Sequence, residues 1–194
     1  KPEVCPACGA KLVEEGALLF CPNENGCPPQ ITGRIEHFVS KDCMDIRGIS
    51  EKSVAQLYEK LDVRSVTDLY YLKADDVARL DGYKDKKTEN FISSVEKSKS
   101  VALDRFINAL GIENVGKKTA RDLALRFKSM NALMDAERET LLEIEDIGEV
   151  VADSITSYFG KHRALIEKFR EIGIDPKIEE QSDGGVFSGK KFVL

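Results

Sequence analysis

The chain has 194 residues, of which 42% are hydrophobic and 32% are charged. This is enough for one or two compact domains with hydrophobic cores. It contains no apolar run near the roughly 20 residues that a membrane span requires, and no basic-then-apolar signal peptide. We therefore expect a soluble intracellular protein without a membrane partner.

The formal net charge of −5 argues weakly against nucleic acid, but the charges are unevenly distributed. Residues 44–128 carry 17 Lys and Arg against 14 Asp and Glu, whereas residues 129–178 carry 6 against 11. A basic segment beside an acidic one is compatible with a nucleic-acid face that covers part of the molecule. Ordinary solvated charge is the competing interpretation.

Four of the five cysteines lie in the first 27 residues, as the pairs Cys5–Cys8 and Cys21–Cys27. Each pair lies in turn-forming sequence, and a 12-residue spacer with a short strand candidate separates them. Four thiolates would fill a tetrahedral zinc site and leave no open position, so we predict a structural zinc module over residues 1–36. Two disulfides are the alternative, but nothing in the chain indicates export.

The remaining cysteine and the two histidines are not needed for this site. We predict that Cys43 is a free, packed thiol. His37 and His162 are predicted to be ordinary polar residues. A redox role for Cys5 and Cys8 is disfavoured because no βαβ pattern surrounds them.

Four short turns recur at one period in residues 37–178. Aligning Gly48, Gly82, Asn114 and Asp146 gives separations of 34, 32 and 32 residues. Gly, Asn and Asp are the residues that best tolerate a left-handed backbone. Apolar residues flank each turn, and a run with apolar residues three and four apart follows it, which indicates an amphipathic helix. We predict four helix–hairpin–helix motifs, forming two paired units in one nearly all-helical domain.

The predicted helices after the four turns cover residues 53–61, 86–95, 117–127 and 149–159. Shorter helices are predicted at 73–80, 101–110 and 136–144, and a capping box at Ser65 is predicted to open a segment through Leu72. A helical bundle in which the glycines only terminate helices is the alternative.

Exposed amides at a helix N-terminus, with cations beside them, form an anion site, and duplex DNA presents phosphates. The third hairpin has a close-approach glycine and a lysine pair, whereas the fourth is flanked by acidic residues with no cation nearby in the sequence. We therefore expect the first three hairpins to hold phosphates and the fourth to be weaker or structural. The predicted DNA-contacting residues are Gly48, Ser50, Lys52, Gly82, Lys84, Lys86, Asn114, Gly116, Lys117, Lys118 and Gly148.

A nucleotide-binding loop is a competing interpretation of residues 111–119. The pattern resembles a P-loop, but Lys118 stands where Ser or Thr would bind magnesium, and Thr119 is displaced by one residue. The preceding segment has helical spacing, whereas a P-loop follows a buried strand. We therefore disfavour this interpretation.

A four-cysteine module followed by four such hairpins resembles the C-terminal half of the bacterial NAD-dependent DNA ligase family. The tail Phe187-Ser-Gly-Lys-Lys-Phe-Val-Leu194 is similar to the opening strand of that family's BRCT domain, so residues 179–194 are expected to be a linker and a truncated BRCT start. The other matching segments are Cys5-Pro-Ala-Cys8, Cys21, Cys27-Pro-Pro-Gln30, Glu36-His-Phe-Val-Ser-Lys-Asp42, Met44-Asp-Ile-Arg-Gly48 and Leu110-Gly-Ile-Glu-Asn-Val-Gly116.

The resemblance implies a bacterial cytoplasmic enzyme that uses NAD and magnesium to seal nicks in duplex DNA during replication and repair. Adenylation, OB and BRCT domains would belong to the same full-length chain. The adenylation motif K-x-D-G is absent here, and the nearest string begins with Arg79, which stays protonated and cannot act as the nucleophile. We expect a fragment with no catalytic residue that binds duplex or nicked DNA. A helical adaptor for protein–protein interaction is the alternative.

Overall fold

The computed structural model describes residues 1–178, so the predicted BRCT start lies outside the described residues. The fold is mostly helical, as predicted. A short antiparallel hairpin of β1 (Val13–Glu15) and β2 (Leu18–Phe20) precedes the helices. The helices are α1 (Pro28–Val39), α2 (Glu51–Leu61), a 3₁₀ helix (Val66–Tyr71), α3 (Ala74–Val77), α4 (Asp85–Ser98), α5 (Leu103–Ala109), α6 (Lys117–Phe127), α7 (Met130–Met134), α8 (Arg138–Leu142) and α9 (Glu149–Ile172).

Local capping explains several helix starts. Ser50 Oγ accepts a hydrogen bond from the Ser53 amide at 3.3 Å and opens α2. The predicted capping box at Ser65 is confirmed, because Asp68 accepts from the Ser65 amide at 2.8 Å. The segment it opens is a 3₁₀ helix that ends at Tyr71.

The largest difference from the sequence prediction is the length of α9. This helix continues past residue 159 to Ile172, through Gly160 and a kink at His162 (φ −117°, ψ 17°). A glycine in a helix costs about 1 kcal/mol relative to alanine. Burial of Ile166 and Phe169 beyond the kink offsets that cost, because each buried apolar side chain contributes about 1.5–3 kcal/mol. The shorter predicted helices at 73–80, 101–110 and 136–144 are each shorter still in the structure.

One hydrophobic core joins the helices. At its centre, Phe169 of α9 stacks on Phe38 of α1 with ring centroids 5.7 Å apart and meets Phe106 of α5 edge-on at 5.1 Å. Tyr70 of the 3₁₀ helix packs edge-on against Phe38. The sequence predicted a domain boundary at residue 36. Helix α1 runs through this position without a break and packs into the helical core. Among the described helices, none is both long and apolar enough to cross a membrane.

Candidate metal centre and nucleic-acid interface

The four predicted zinc ligands converge at the N-terminal end of the molecule. The sulfur atoms of Cys5, Cys8, Cys21 and Cys27 all lie within 4.8 Å of one another. The Cys5–Cys27 and Cys8–Cys21 sulfur distances are 3.9 Å and 3.5 Å. Zinc–thiolate bonds of about 2.3 Å in a tetrahedron place sulfurs about 3.8 Å apart. The cluster therefore could hold a metal ion, and its spacing fits zinc.

Two tight turns bring these thiols together. In the first, the left-handed Gly9 (φ 73°) donates to the Cys5 carbonyl at 2.8 Å. A hydrogen bond from the Ala10 amide lowers the pKa of Cys8 to about 6, whereas the pKa of Cys21 is raised and burial raises the pKa of Cys27. In the second turn, Cys27 is the N-cap of α1, and Gln30 Nε2 of α1 donates to the Cys21 carbonyl at 2.8 Å. The metal cluster is thus fastened to the helix that enters the core.

The fifth cysteine and the two histidines lie outside the cluster and make contacts of their own. Cys43 is fully buried and free, as predicted. His37 is more than an ordinary polar residue, because its Nε2 lies 2.7 Å from the Asn108 carbonyl oxygen and 3.6 Å from Cys43 Sγ. The contact with Cys43, and then the Asn108 carbonyl against the opposing effect of burial, raise the pKa of His37 to about 9. His162 stacks on Tyr158 at the kink of α9, with ring centroids 4.2 Å apart.

The four aligned turn positions share one backbone conformation. The φ angles of Gly48, Gly82, Asn114 and Asp146 are 83°, 79°, 61° and 67°, which confirms the left-handed turn inferred from residue type. All four positions are exposed. The apolar residues on either side are mostly buried, including Ile46, Leu80, Tyr83, Ile112, Val115 and Ile147. The buried apolar residues therefore fix each turn to the protein interior, while the turn itself is exposed to solvent.

The left-handed geometry makes a stability prediction at the second hairpin. Gly82→Ala should lower the free energy of unfolding by about 1–2 kcal/mol, because a Cβ at this φ approaches the following carbonyl, although open space surrounds the position. Gly33→Ala is the matched control, since Gly33 lies inside helix α1 without a positive φ and also faces open space. Chemical denaturation of both variants measures the difference. Equal stability of the two would contradict the argument.

The second turn position begins a helix in all four hairpins. Ser50, Lys84, Gly116 and Gly148 are the N-caps of α2, α4, α6 and α9, each with extended backbone. Of these four, only Ser50 caps its helix with a side-chain hydrogen bond. The first amides of α4, α6 and α9 thus donate no hydrogen bond to their own N-cap side chain, which suits an external anion.

The first and second hairpins form one unit. Tyr83 of the second hairpin donates from its hydroxyl to the Gly48 carbonyl of the first at 2.9 Å. The Arg47 amide donates to Ser94 Oγ of α4 at 2.7 Å, and the Asp81 amide donates to Gln56 of α2 at 2.6 Å. Each hairpin is therefore held by the helix that follows the other.

The third and fourth hairpins form a second unit in a similar way. Asn114 Nδ2 of the third hairpin donates to Ser154 Oγ of α9 at 3.1 Å. Lys118 of α6 forms an ion pair with Asp146, the left-handed residue of the fourth hairpin. The predicted pairing of hairpins is therefore present in both halves of the domain.

The predicted phosphate-binding lysines lie on the surface beside their turns. Lys52, Lys84 and Lys86 are exposed. The side chains of Lys117 and Lys118 are 72% and 75% exposed, although Lys117 pairs with Asp42 at 2.8 Å and Lys118 with Asp146. Exposed ion pairs contribute little to stability, because solvent and salt screen them. A phosphate can therefore replace either carboxylate.

The fourth hairpin requires a correction, because the sequence placed no cation near its acidic residues. In the structure, Lys118 pairs with Asp146. Arg126 of α6 pairs with Glu143 at 3.2 Å, and Arg138 of α8 pairs with Asp153 at 2.6 Å. Its negative charge is partly neutralised by Lys118 and Arg126 of α6 and by Arg138 of the helix that leads into the hairpin.

The disfavoured P-loop is absent from residues 111–119. The element before this turn is helix α5, and no strand precedes it in the described part of the chain nearer than β2. Without the strand, the loop lacks the scaffold of a phosphate-cradling nucleotide site.

Sequence reasoning missed Arg105 and Asn108 of α5, which bind the loop before the first hairpin. Asn108 interrupts the apolar run Phe106-Ile107-Asn108-Ala109-Leu110. A polar residue within such a run is a usable signal, because a buried amide must find hydrogen-bond partners.

Comparison with known proteins places these features in a family. The family described as "Helix-hairpin-helix motif" matches residues 105–166, which contain the third and fourth hairpins. The chain is 43% identical to a DNA ligase of Alkaliphilus oremlandii, 42% to one of Clostridium novyi and 44% to one of Clostridium perfringens. Each match covers 100% of this chain and 30% of the relative, so the chain spans less than a third of those proteins. Through this similarity over its whole length, the chain belongs to the DNA ligase family, as a segment that carries helix–hairpin–helix motifs.

Proposed function

We propose that this chain is the DNA-binding portion of a bacterial NAD-dependent DNA ligase and that it grips the phosphate backbone of duplex or nicked DNA. The full-length enzyme would act in the cytoplasm during replication and repair. It would join strands through AMP transfer, with NAD and magnesium bound by its adenylation domain. OB and BRCT domains of the same polypeptide would be the other partners.

The third hairpin is the observation that carries this proposal. Its left-handed Asn114 exposes Gly116 and the first amides of α6, which no N-cap side chain covers. Lys117 and Lys118 stand on the first turn of that helix and are largely exposed. Backbone amides, a glycine without a Cβ and two cations suit a phosphate group without any base-specific contact.

Under this proposal, the metal cluster has a structural role and not a catalytic one. Four thiolates complete a tetrahedral zinc shell, so no position remains for substrate or water. Cys5, Cys8, Cys21 and Cys27 would hold the ion, which would fix the start of α1. The chain itself would catalyse nothing, so incubation with labelled NAD should leave no covalent adenylate on it.

A salt-titrated binding assay with nicked duplex, intact duplex and single strand tests the proposal. We expect duplex binding whose log affinity falls linearly with log salt, with a slope of roughly −3 or steeper if each of three hairpins neutralises at least one phosphate. Absence of duplex binding at low salt would overturn the proposal. That result would favour the adaptor, in which the acidic fourth hairpin docks a protein.

A matched pair of glycine variants tests which hairpins approach phosphate closely. Gly116→Ala should weaken duplex binding several-fold, because the added Cβ meets no protein atom within 4 Å and occupies the anion side of the turn. Gly148→Ala makes the same change in the fourth hairpin, where φ is −88° and the space is also open. We expect little effect there, since the acidic surroundings disfavour phosphate. The comparison of the two dissociation constants is the measurement.

Equal weakening by the two alanines would contradict the weaker role proposed for the fourth hairpin. No effect from Gly116→Ala would contradict close phosphate approach at the third. The unfolding midpoint of each variant provides the control for stability.

A further inference from the structure

A set of hydrogen bonds joins the two hairpin units at their sides. Arg105 Nε of α5 donates to the Cys43 carbonyl at 2.9 Å, and Arg105 Nη2 donates to the Lys41 carbonyl. Asn108 Nδ2 donates to the Asp42 carbonyl at 3.2 Å. Three successive loop carbonyls thus accept from α5. We call this set, Arg105 and Asn108 with residues 41–43, the α5 clasp.

The clasp connects segments that lead to different hairpins. Its loop runs from α1 into the first hairpin at residues 46–50, and α5 runs into the third hairpin at residues 112–116. The bonded residues are 62–66 positions apart in the sequence. The Lys117–Asp42 ion pair adds a contact from the third hairpin's own helix to the same loop. The clasp therefore acts between the two hairpin units.

Burial makes the clasp more than a surface contact. Asn108 is 7% exposed, and its amide also donates to the buried Cys43 sulfur at 3.2 Å. On the other side, His37 of α1 contacts the Asn108 carbonyl at 2.7 Å. Apolar packing is non-directional, whereas hydrogen bonds require specific distances and angles. The clasp can therefore define the register of the two units where the hydrophobic core alone would permit small displacements.

We propose that Arg105 and Asn108 are positioning residues that hold the first and third hairpins at the spacing required to bind one DNA duplex together. This rests on the proposed duplex-binding function. Two sites held rigidly on one scaffold bind a common strand with a high effective concentration, which falls when their spacing varies. Loss of the clasp should then weaken binding only when both units can reach the same duplex.

Arg105→Met and Arg105→Lys test the proposal against duplexes of about 6 to 20 base pairs, whose phosphates rise 3.4 Å per pair. Methionine keeps the aliphatic stem and removes both hydrogen bonds, whereas lysine keeps the charge and loses the two-pronged geometry. We expect both variants to bind the longest duplex about 10-fold more weakly than the wild type. Binding to the shortest duplex should be unchanged.

The outcomes separate positioning from other roles. Equal weakening at all lengths would identify Arg105 as a general structural or phosphate contact and overturn the proposal. Weakening by methionine with full rescue by lysine would assign the effect to charge, and would also overturn it. Unchanged affinity at every duplex length would also overturn the proposal.

A second measurement does not depend on DNA. Spin labels can be attached at the exposed positions of Lys52 and Glu113 by a chemistry that does not react with the native cysteines. They would report the distance distribution between the first and third hairpins. We expect a narrow distribution in the wild type and a broader one in Arg105→Met; equal widths would overturn the positioning role. If the wild type binds no duplex, the proposed function fails, while this distance measurement still decides whether the clasp fixes the hairpins.

Discussion

Replacing Cys5 and Cys8 with serine is expected to abolish zinc binding and unfold residues 1–27, while the helical domain stays folded. Among residues 1–27 whose burial is described, only Cys5 and Cys27 are buried. Val13, Leu18 and Phe20 remain 45%, 64% and 44% exposed, so this segment has almost no apolar core. A structural zinc ion contributes roughly 10–16 kcal/mol to the folding of such small modules.

The helical domain should survive because its core is formed by other residues. Ile31 and Ile35 of α1 are buried against that core, so α1 should lose only its first turn when the Cys27 N-cap is released. Metal analysis combined with hydrogen exchange measures both effects. Strong protection is expected to vanish in β1 and β2 and to persist in α5 and α9.

Cys43→Ala is the matched control, because this thiol is buried away from the cluster and should leave zinc content unchanged. A wild-type protein without bound metal would contradict the zinc assignment. So would a double serine variant that keeps its exchange protection in residues 1–27.

The second large effect is expected from charge reversal at the third hairpin. Lys117→Glu with Lys118→Glu should weaken duplex binding by about 60-fold or more at about 0.1 M salt, because each phosphate contact contributes about 0.9 to the salt dependence of log affinity. The slope of that dependence should fall by about 2 for the same reason. Fluorescence anisotropy across a salt series provides both numbers.

Asp42 and Asp146, which pair with Lys117 and Lys118, also affect the result of this charge reversal. The hydrogen bond from Lys117 lowers the pKa of Asp42, and the hydrogen bond to Asp146 raises the pKa of Lys118. The reversal therefore also places like charges together in both pairs. Lys97→Glu with Lys168→Glu is the control, since both lysines are exposed on helices away from the four turns. Equal losses in the two double variants would show that net charge, and not the third hairpin, governs binding.

The local features of the hairpins were predictable from sequence. Gly48, Gly82, Asn114 and Asp146 adopt the left-handed conformation that their residue types tolerate, and the apolar flanking positions are largely buried. The cysteine pairs converge as their spacing and turn residues indicated. Such features depend on a few neighbouring residues, whose backbone preferences are intrinsic.

Helix length was less predictable where burial competed with propensity. Gly160 and the irregular backbone at His162 should favour an end to α9, yet the helix continues to Ile172. The continuation of the helix is explained only by the tertiary structure, in which Ile166 and Phe169 are buried in the helical core. The gain from burying these side chains exceeds the local cost.

The electrostatic setting of the hairpins was decided by tertiary structure. Lys117 pairs with Asp42, 75 residues away, and Lys118 pairs with Asp146, 28 residues away. Arg126 and Arg138 reach the acidic fourth hairpin from neighbouring helices. The sequence by itself determined the four turns, the cysteine cluster and the family. Only the folded structure decided which hydrogen bonds join the paired turns, which cations face which carboxylates and how α5 holds the loop before the first hairpin. Those contacts depend on the packing of helices that are mostly distant in the chain.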